Sequence, residues 1–179
     1  DVGVIVMNVA SAGFVGRYLA TGMPLTTKRI TVDGDAVAKA QNVEVVIGTP
    51  IKDVIEFCGG YTEEAGKILY GGPMMGTAVS SDEMPILKQT NAIIVFGREK
   101  AVLPAANPCI RCGRCVAACP MGLALEIALA LSIKDADAIK ELYADLCMEC
   151  GSCSYVCPAK RPVAQTMKEA KDFLRKAAK

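Results

Sequence analysis

Eight of the nine cysteines in this 179-residue chain fall into two copies of one pattern, CxxCGxCxxxCP, at residues 109–120 and 147–158. Such spacing leaves little freedom in what the surrounding chain can fold around. Thiols separated by two residues can wrap one loop about three corners of an iron–sulfur cubane, because the short spacers turn each sulfur toward a common centre. The fourth ligand has to come from elsewhere. In two-cluster proteins with this spacing, the cysteine before the proline serves the other cluster. We therefore expect Cys109, Cys112 and Cys115 to take Cys157, and Cys147, Cys150 and Cys153 to take Cys119. Gly113 and Gly151, at matching positions, are expected to let the backbone approach inorganic sulfide without an intervening Cβ. Pro120 and Pro158 lack an N–H and fix φ, which re-aims the chain as it leaves each loop.

Zinc is the competing metal, since all-cysteine zinc sites use paired CxxC knuckles. It accounts for the residues poorly. Two knuckles consume only half of the repeated thiols and leave the third cysteine and the CP element of each copy without a task. Structural disulfides need an oxidising compartment, and no apolar signal segment opens the sequence. Cys58, alone in Phe57-Cys58-Gly59-Gly60, reads as a small buried hydrophobe.

Twenty basic and nineteen acidic residues nearly cancel, which removes the global field expected of a nucleic-acid binder. Histidine is absent from the sequence, so these residues provide no His-dependent catalysis, Rieske-type ligation or histidine-held haem. Although 52% of residues are hydrophobic, no apolar run reaches the roughly eighteen residues needed to span a bilayer. A soluble or peripheral chain is expected. This length suits two small domains with modest cores.

Residues 1–27 read as the end of a larger α/β domain. Val2-Gly3-Val4-Ile5-Val6-Met7-Asn8-Val9 resembles a strand covered on both faces, and Ser11 is a candidate cap for a helix from Phe14 to Thr21 stopped by Gly22 and Pro24. The other strands of that sheet, and the initiator methionine, are expected upstream. Residues 28–100 change to short strands around one helix. Arg29-Ile30-Thr31-Val32 and Val43-Glu44-Val45-Val46-Ile47 flank the Asp33-Gly34-Asp35 turn. Gly48-Thr49-Pro50 begins a helix with Ile51, Val54, Ile55 and Cys58 on one face, stopped by Gly59-Gly60. Lys67-Ile68-Leu69-Tyr70 and Ala92-Ile93-Ile94-Val95-Phe96 complete a ββαββ order that suggests a small β-grasp. Gly71-Gly72-Pro73-Met74-Met75-Gly76 lacks the spacing of a phosphate loop and is read as a tight turn near a partner surface.

Residues 101–179 form a mostly helical cluster domain. The segment 121–133 carries Leu123, Leu125, Ile127, Leu129, Leu131 and Ile133, with interleaved alanines and Glu126 favouring helix over strand. Asp135 is a candidate cap for a second helix with Ile139, Leu142 and Leu146 on its stripe. A third helix follows Pro162, with Met167, Ala170 and Leu174 on one side. Its cations Lys171, Arg175, Lys176 and Lys179 read as a solvated face suited to a helix C-terminus, with a membrane-surface role secondary.

Asn107-Pro108-Cys109-Ile110-Arg111-Cys112-Gly113-Arg114-Cys115 through Cys119-Pro120-Met121-Gly122-Leu123 resembles the C-subunit of the Rnf electron-transport complex. So do the second motif, from Cys147 to Pro158, the Gly71–Gly76 turn and Thr31-Val32-Asp33-Gly34-Asp35-Ala36-Val37. The resemblance runs over essentially the whole sequence. It implies an α+β chain in which an SLBB-type β-grasp precedes a helical dicluster [4Fe-4S] ferredoxin domain, behind an upstream domain handling FMN and NADH. It further implies an electron relay in a complex that exchanges electrons between ferredoxin and NAD and moves Na⁺ or H⁺. That complex is membrane-bound, and the chain would lie peripherally on its cytoplasmic side among other subunits. Most of the flavin domain is missing from this sequence, so no FMN or NADH ligand is assigned. A microcompartment cobalamin reductase, a corrinoid-binding β-grasp module and the iron–sulfur subunit of a quinone-linked dehydrogenase are the other readings. Arg111, Arg114, Lys160 and Arg161 flank the Cys109 set, whereas Asp145 and Glu149 border the Cys147 set. Positive neighbours favour the more reduced, more negative state. The Cys109 set should therefore have the higher potential.

Overall fold

The computed structural model describes residues 2–123 and 134–177. The chain separates into two compact units, Asp1–Val102 and Leu103–Lys179.

In the first unit, five strands form one sheet: β1 (Thr27–Asp33), β2 (Gln41–Val46), β3 (Ala65–Tyr70), β4 (Thr77–Val79) and β5 (Ala92–Gly97), in the order β2-β1-β5-β3-β4. β1 and β5 run parallel, with Val32 opposite Ile93, while β2 and β3 pair antiparallel on either side. This is the β-grasp arrangement that the order of elements suggests, with the short β4 added by the glycine-rich turn. One helix, Ile51–Phe57, packs on the sheet. Ile51, Val54, Ile55 and Cys58, at helical spacing, join Ile30, Val32, Ile93 and Val95 in a single core. Cys58 is fully buried there. Gly59 and Gly60, at φ 91° and 84°, end the helix in a conformation side chains resist.

The amino-terminal readings need correction. Residues 2–8 form no strand, and Val2, Val4, Ile5 and Val6 are exposed. An extended segment needs a neighbour to complete its ladder, and none of the described residues pairs with it. The helix that follows runs Val9–Thr21, five residues earlier than expected, because Asn8 rather than Ser11 caps it by accepting from the Ala10 N–H at 2.9 Å. Gly22 does end it, at φ 68°.

The second unit is helical. Short helices at Arg114–Ala117 and Ser152–Tyr155 each begin within the second spacer of their thiol loop, a helix spans Ala136–Glu141, a single 3₁₀ turn occupies Ala144–Leu146, and the longest helix runs Val163–Ala177. Asp135 caps the Ala136 helix by accepting from the Ala138 N–H. That helix stops before Leu142, and Tyr143, at φ 56°, starts the 3₁₀ turn, so the expected stripe does not extend to Leu146, which is exposed. Leu123, Ile139, Ala144, Met167 and Ala170 make the small core. The helix expected over 121–133 falls almost entirely on residues outside those described. Lys171 departs from the expected solvated face: its side chain is only 16% exposed, because it is engaged on the second thiol loop.

Candidate iron–sulfur centres

The two cysteine loops are conformational copies offset by 38 residues. Arg111 and Glu149 have φ 54° and 58°, Gly113 and Gly151 72° and 78°, Gly122 and Lys160 62° and 54°. Left-handed residues at these three points curl each loop, so that Val116 and Ala117 bond back to the Gly113 carbonyl as Ser154 and Tyr155 do to that of Gly151. Both glycines sit in a backbone conformation that side chains resist, and a Cβ built on Gly113 meets no protein atom within 4 Å. A positive φ is thus a second reason for glycine at these positions.

The curl aims backbone donors at sulfur. The Arg111 N–H donates to Cys109 Sγ and the Glu149 N–H to Cys147 Sγ, each at 3.4 Å, and the Arg161 N–H reaches Cys157 Sγ at the same distance. Such bonds stabilise thiolate over thiol. Cys150 Sγ and Ser152 Oγ are hydrogen-bonded at 3.4 Å, and this contact, the hydroxyl donating to the thiolate, holds the Cys150 thiol below its ordinary range. Burial pushes Cys153 up. The hydrogen bonds of the loop thus favour the anionic form at Cys150, and burial disfavours it at Cys153.

Cys109, Cys112, Cys115 and Cys157 line one cavity of about 130 Å³. Cys119, Cys147, Cys150 and Cys153 line a second, of about 40 Å³, whose wall also includes Cys115. Each space thus gathers three thiols from one loop and the CP cysteine of the other. Met121, Met148 and Met167 border the smaller one, and their unbranched side chains repack readily. All eight thiols are free. Among the described residues no three Cys, Asp or Glu side chains converge as the shell of a single ion would. The thiols instead stand around spaces, which suits a group with several metal atoms.

Two ties fasten the last helix to the second loop. Ser154 Oγ accepts from the Ala164 N–H at 2.8 Å in that helix's first turn, and Lys171 Nζ donates to the Cys147 carbonyl at 2.8 Å and to Glu149 Oε1 at 2.7 Å. Sequence reasoning missed both. The position equivalent to Ser154 in the first copy is Val116, and that break in an otherwise close repeat was the available signal.

Residues 29–78 match the SLBB domain, and residues 108–162 match a 4Fe-4S dicluster domain. A second 4Fe-4S dicluster domain model matches residues 77–124. The C-subunit of the ion-translocating oxidoreductase complex of Rhodobacter capsulatus is 42% identical over 123 residues, covering 69% of this chain and 24% of that protein. Its counterpart in Methanosarcina acetivorans is 43% identical over 172 residues, 96% of this chain and 38% of its own length. The chain belongs to the C-subunit family of ion-translocating oxidoreductase complexes. A third relative, the C-subunit of the Na(+)-translocating ferredoxin:NAD(+) oxidoreductase complex of Acetobacterium woodii, is 41% identical over 123 residues, 69% of this chain and 28% of that protein. The chain therefore spans about a quarter to two-fifths of the length of these relatives. The portion shared includes an SLBB domain and an iron–sulfur domain.

Proposed function

We propose that the chain is the electron-relay portion of a membrane-associated ferredoxin:NAD oxidoreductase that couples electron flow to Na⁺ or H⁺ translocation. Cys109, Cys112, Cys115 and Cys157 would hold one [4Fe-4S] cluster, and Cys147, Cys150, Cys153 and Cys119 the other. Bound there, such clusters supply reversible one-electron storage without proton transfer. The observation that carries this reading is the grouping of the thiols: two cavities, one lined by Cys109, Cys112, Cys115 and Cys157 and the other by Cys119, Cys147, Cys150 and Cys153, with Cys115 on both walls.

The protein's own contribution is positioning and electrostatics. Backbone donors at Cys109, Cys147 and Cys157 keep the sulfurs oriented, and such bonds adjust reduction potential. Leu123 and Met167, both buried, keep water from the wall of the second space. No side chain acting as acid, base or nucleophile is required. Residues 1–27, 28–100 and 101–179 are the end of the flavin domain, the β-grasp and the cluster domain. FMN and NADH belong upstream, the neighbouring subunits are the immediate partners, and the chain lies peripherally on the cytoplasmic face.

Iron and acid-labile sulfide analysis of anaerobically purified protein tests this. About eight of each per chain is expected, as two cubanes require. Colourless protein holding zinc instead would refute it.

A further inference from the structure

The last helix brings a largely buried cation to the second thiol loop. Lys171 Nζ donates to the Cys147 carbonyl at 2.8 Å and to Glu149 Oε1 at 2.7 Å, with its side chain 16% exposed. Between those two anchors, the Glu149 N–H donates to Cys147 Sγ at 3.4 Å. The ammonium thus grips the arc whose own N–H···S bond orients one ligand sulfur. The matching arc of the first loop, Cys109 to Arg111, makes the same N–H···S bond, but exposed Arg111 stands where Glu149 does, so the carboxylate that receives such a cation is missing there.

Fastening is one use for such a pair, and it leaves the charge unexplained. Ser154 Oγ already ties this helix to the loop through the Ala164 N–H, and Met167 and Ala170 bury its apolar face. Taking a charge out of water is costly, and an ion pair often recovers no more than that cost, so a neutral contact would fasten as well. What a largely buried cation adds is an effect on charge that changes nearby, because water and salt screen it less. The wall of the second cavity includes Glu149 and, among the described residues, no Lys or Arg. Left unpaired, that carboxylate would oppose any gain of negative charge there.

We infer that Lys171 is a positioning residue that sets the reduction potential of the group held by Cys147, Cys150, Cys153 and Cys119, by cancelling the Glu149 charge and holding the Cys147 arc. This rests on the relay reading above. When an electron passes from the first site to the second, the second gains one unit of negative charge, the first loses one, and no bond or proton changes. Lys171 favours that gain through the Cys147 carbonyl and the neutralised carboxylate, and so holds the second potential up.

The test is EPR-monitored redox titration of the cluster-loaded, full-length protein. In Lys171→Met the equilibrium for reducing the second site should fall about tenfold, equivalent to about 59 mV for one electron, while the midpoint that Arg111→Glu moves stays in place. Lys171→Arg, which keeps the charge, should recover most of the shift. Lys168→Met, which removes an exposed cation from the same helix, should have little effect, because water screens it. Should Lys171→Met lose the second cluster, Lys171→Gln, a neutral donor, replaces it. Glu149→Gln supplies the opposite sign: it leaves the ammonium unopposed and should raise the same midpoint. A second midpoint unmoved in these variants, both midpoints moving alike, no recovery by arginine, or an equal effect from Lys168→Met overturns the assignment. A fall in urea stability with unchanged midpoints marks Lys171 as a fastening and overturns it too. Clusters present but indifferent to Lys171 sink only this assignment, whereas absence of clusters sinks the relay reading with it.

Discussion

Lys171 and Glu149 form the ion pair that locks the last helix onto the second thiol loop. The ammonium lies 2.7 Å from the carboxylate, and it also holds the Cys147 carbonyl, with the two side chains 16% and 32% exposed. Replacing Lys171 by Met leaves a carboxylate and a ligand carbonyl without their donor. We expect a loss of about 1–3 kcal/mol in urea unfolding, with Lys171→Arg recovering part of it.

The same pair sets an acid limit. The hydrogen bond from Lys171 holds the Glu149 carboxyl below its ordinary range of about 4.5, against a smaller opposing effect of burial. Because the folded pKa is the lower one, the stabilisation is complete above the unfolded carboxyl's pKa and is lost as pH falls through the folded value. Unfolding free energies of wild type and Glu149→Gln measured from pH 7 to pH 3 should therefore converge toward the acid end. Parallel curves would refute the linkage.

Exchange of the CP cysteines between loops can be read from paired variants. In Cys119→Ser the surviving cluster should be the one on Cys109, Cys112 and Cys115, so adding Arg111→Glu lowers its midpoint potential. In Cys157→Ser the survivor is on the other loop and responds far less. Ligation confined within each loop predicts the reverse in EPR-monitored titration.

Arg111, Arg114 and Arg161 border the first cavity and none of them is in an ion pair among the described residues, so the first cluster's potential should be the higher of the two. Pairing of Glu149 with Lys171 makes the gap smaller than flanking charges alone imply. Redox titration of wild type resolves two midpoints, and Arg111→Glu should narrow their separation. A reversed order or an unmoved gap would overturn the argument.

Gly34, at φ 127°, has no room for a side chain. A Cβ there would lie 1.9 Å from the Val95 carbonyl oxygen. Neither backbone can yield, since Val95 is within β5 and fully buried. Gly34→Ala should cost more than about 3 kcal/mol, visible as a lowered midpoint in thermal denaturation.

Much of this was legible locally. The β-grasp order followed from alternation and turn residues, and helix ends at Gly22, Gly59 and Asp135 from single-residue preferences. The strand read into residues 2–9 failed because apolar content alone cannot pair an edge. β4 escaped notice because three residues carry too little pattern.

By itself, the sequence determined which atoms can bind: thiol spacing is a local property, set by a few bonds between neighbours, and it implies the same chemistry in any fold that leaves the loops free to curl. Motif spacing and flanking residues already suggested the crossed grouping of thiols and their unequal charge; tertiary structure alone decided that the two sites differ in burial and that Lys171 is a lock. Those relationships join residues far apart in the chain, and neither periodicity nor propensity carries information over such distances until packing brings them together.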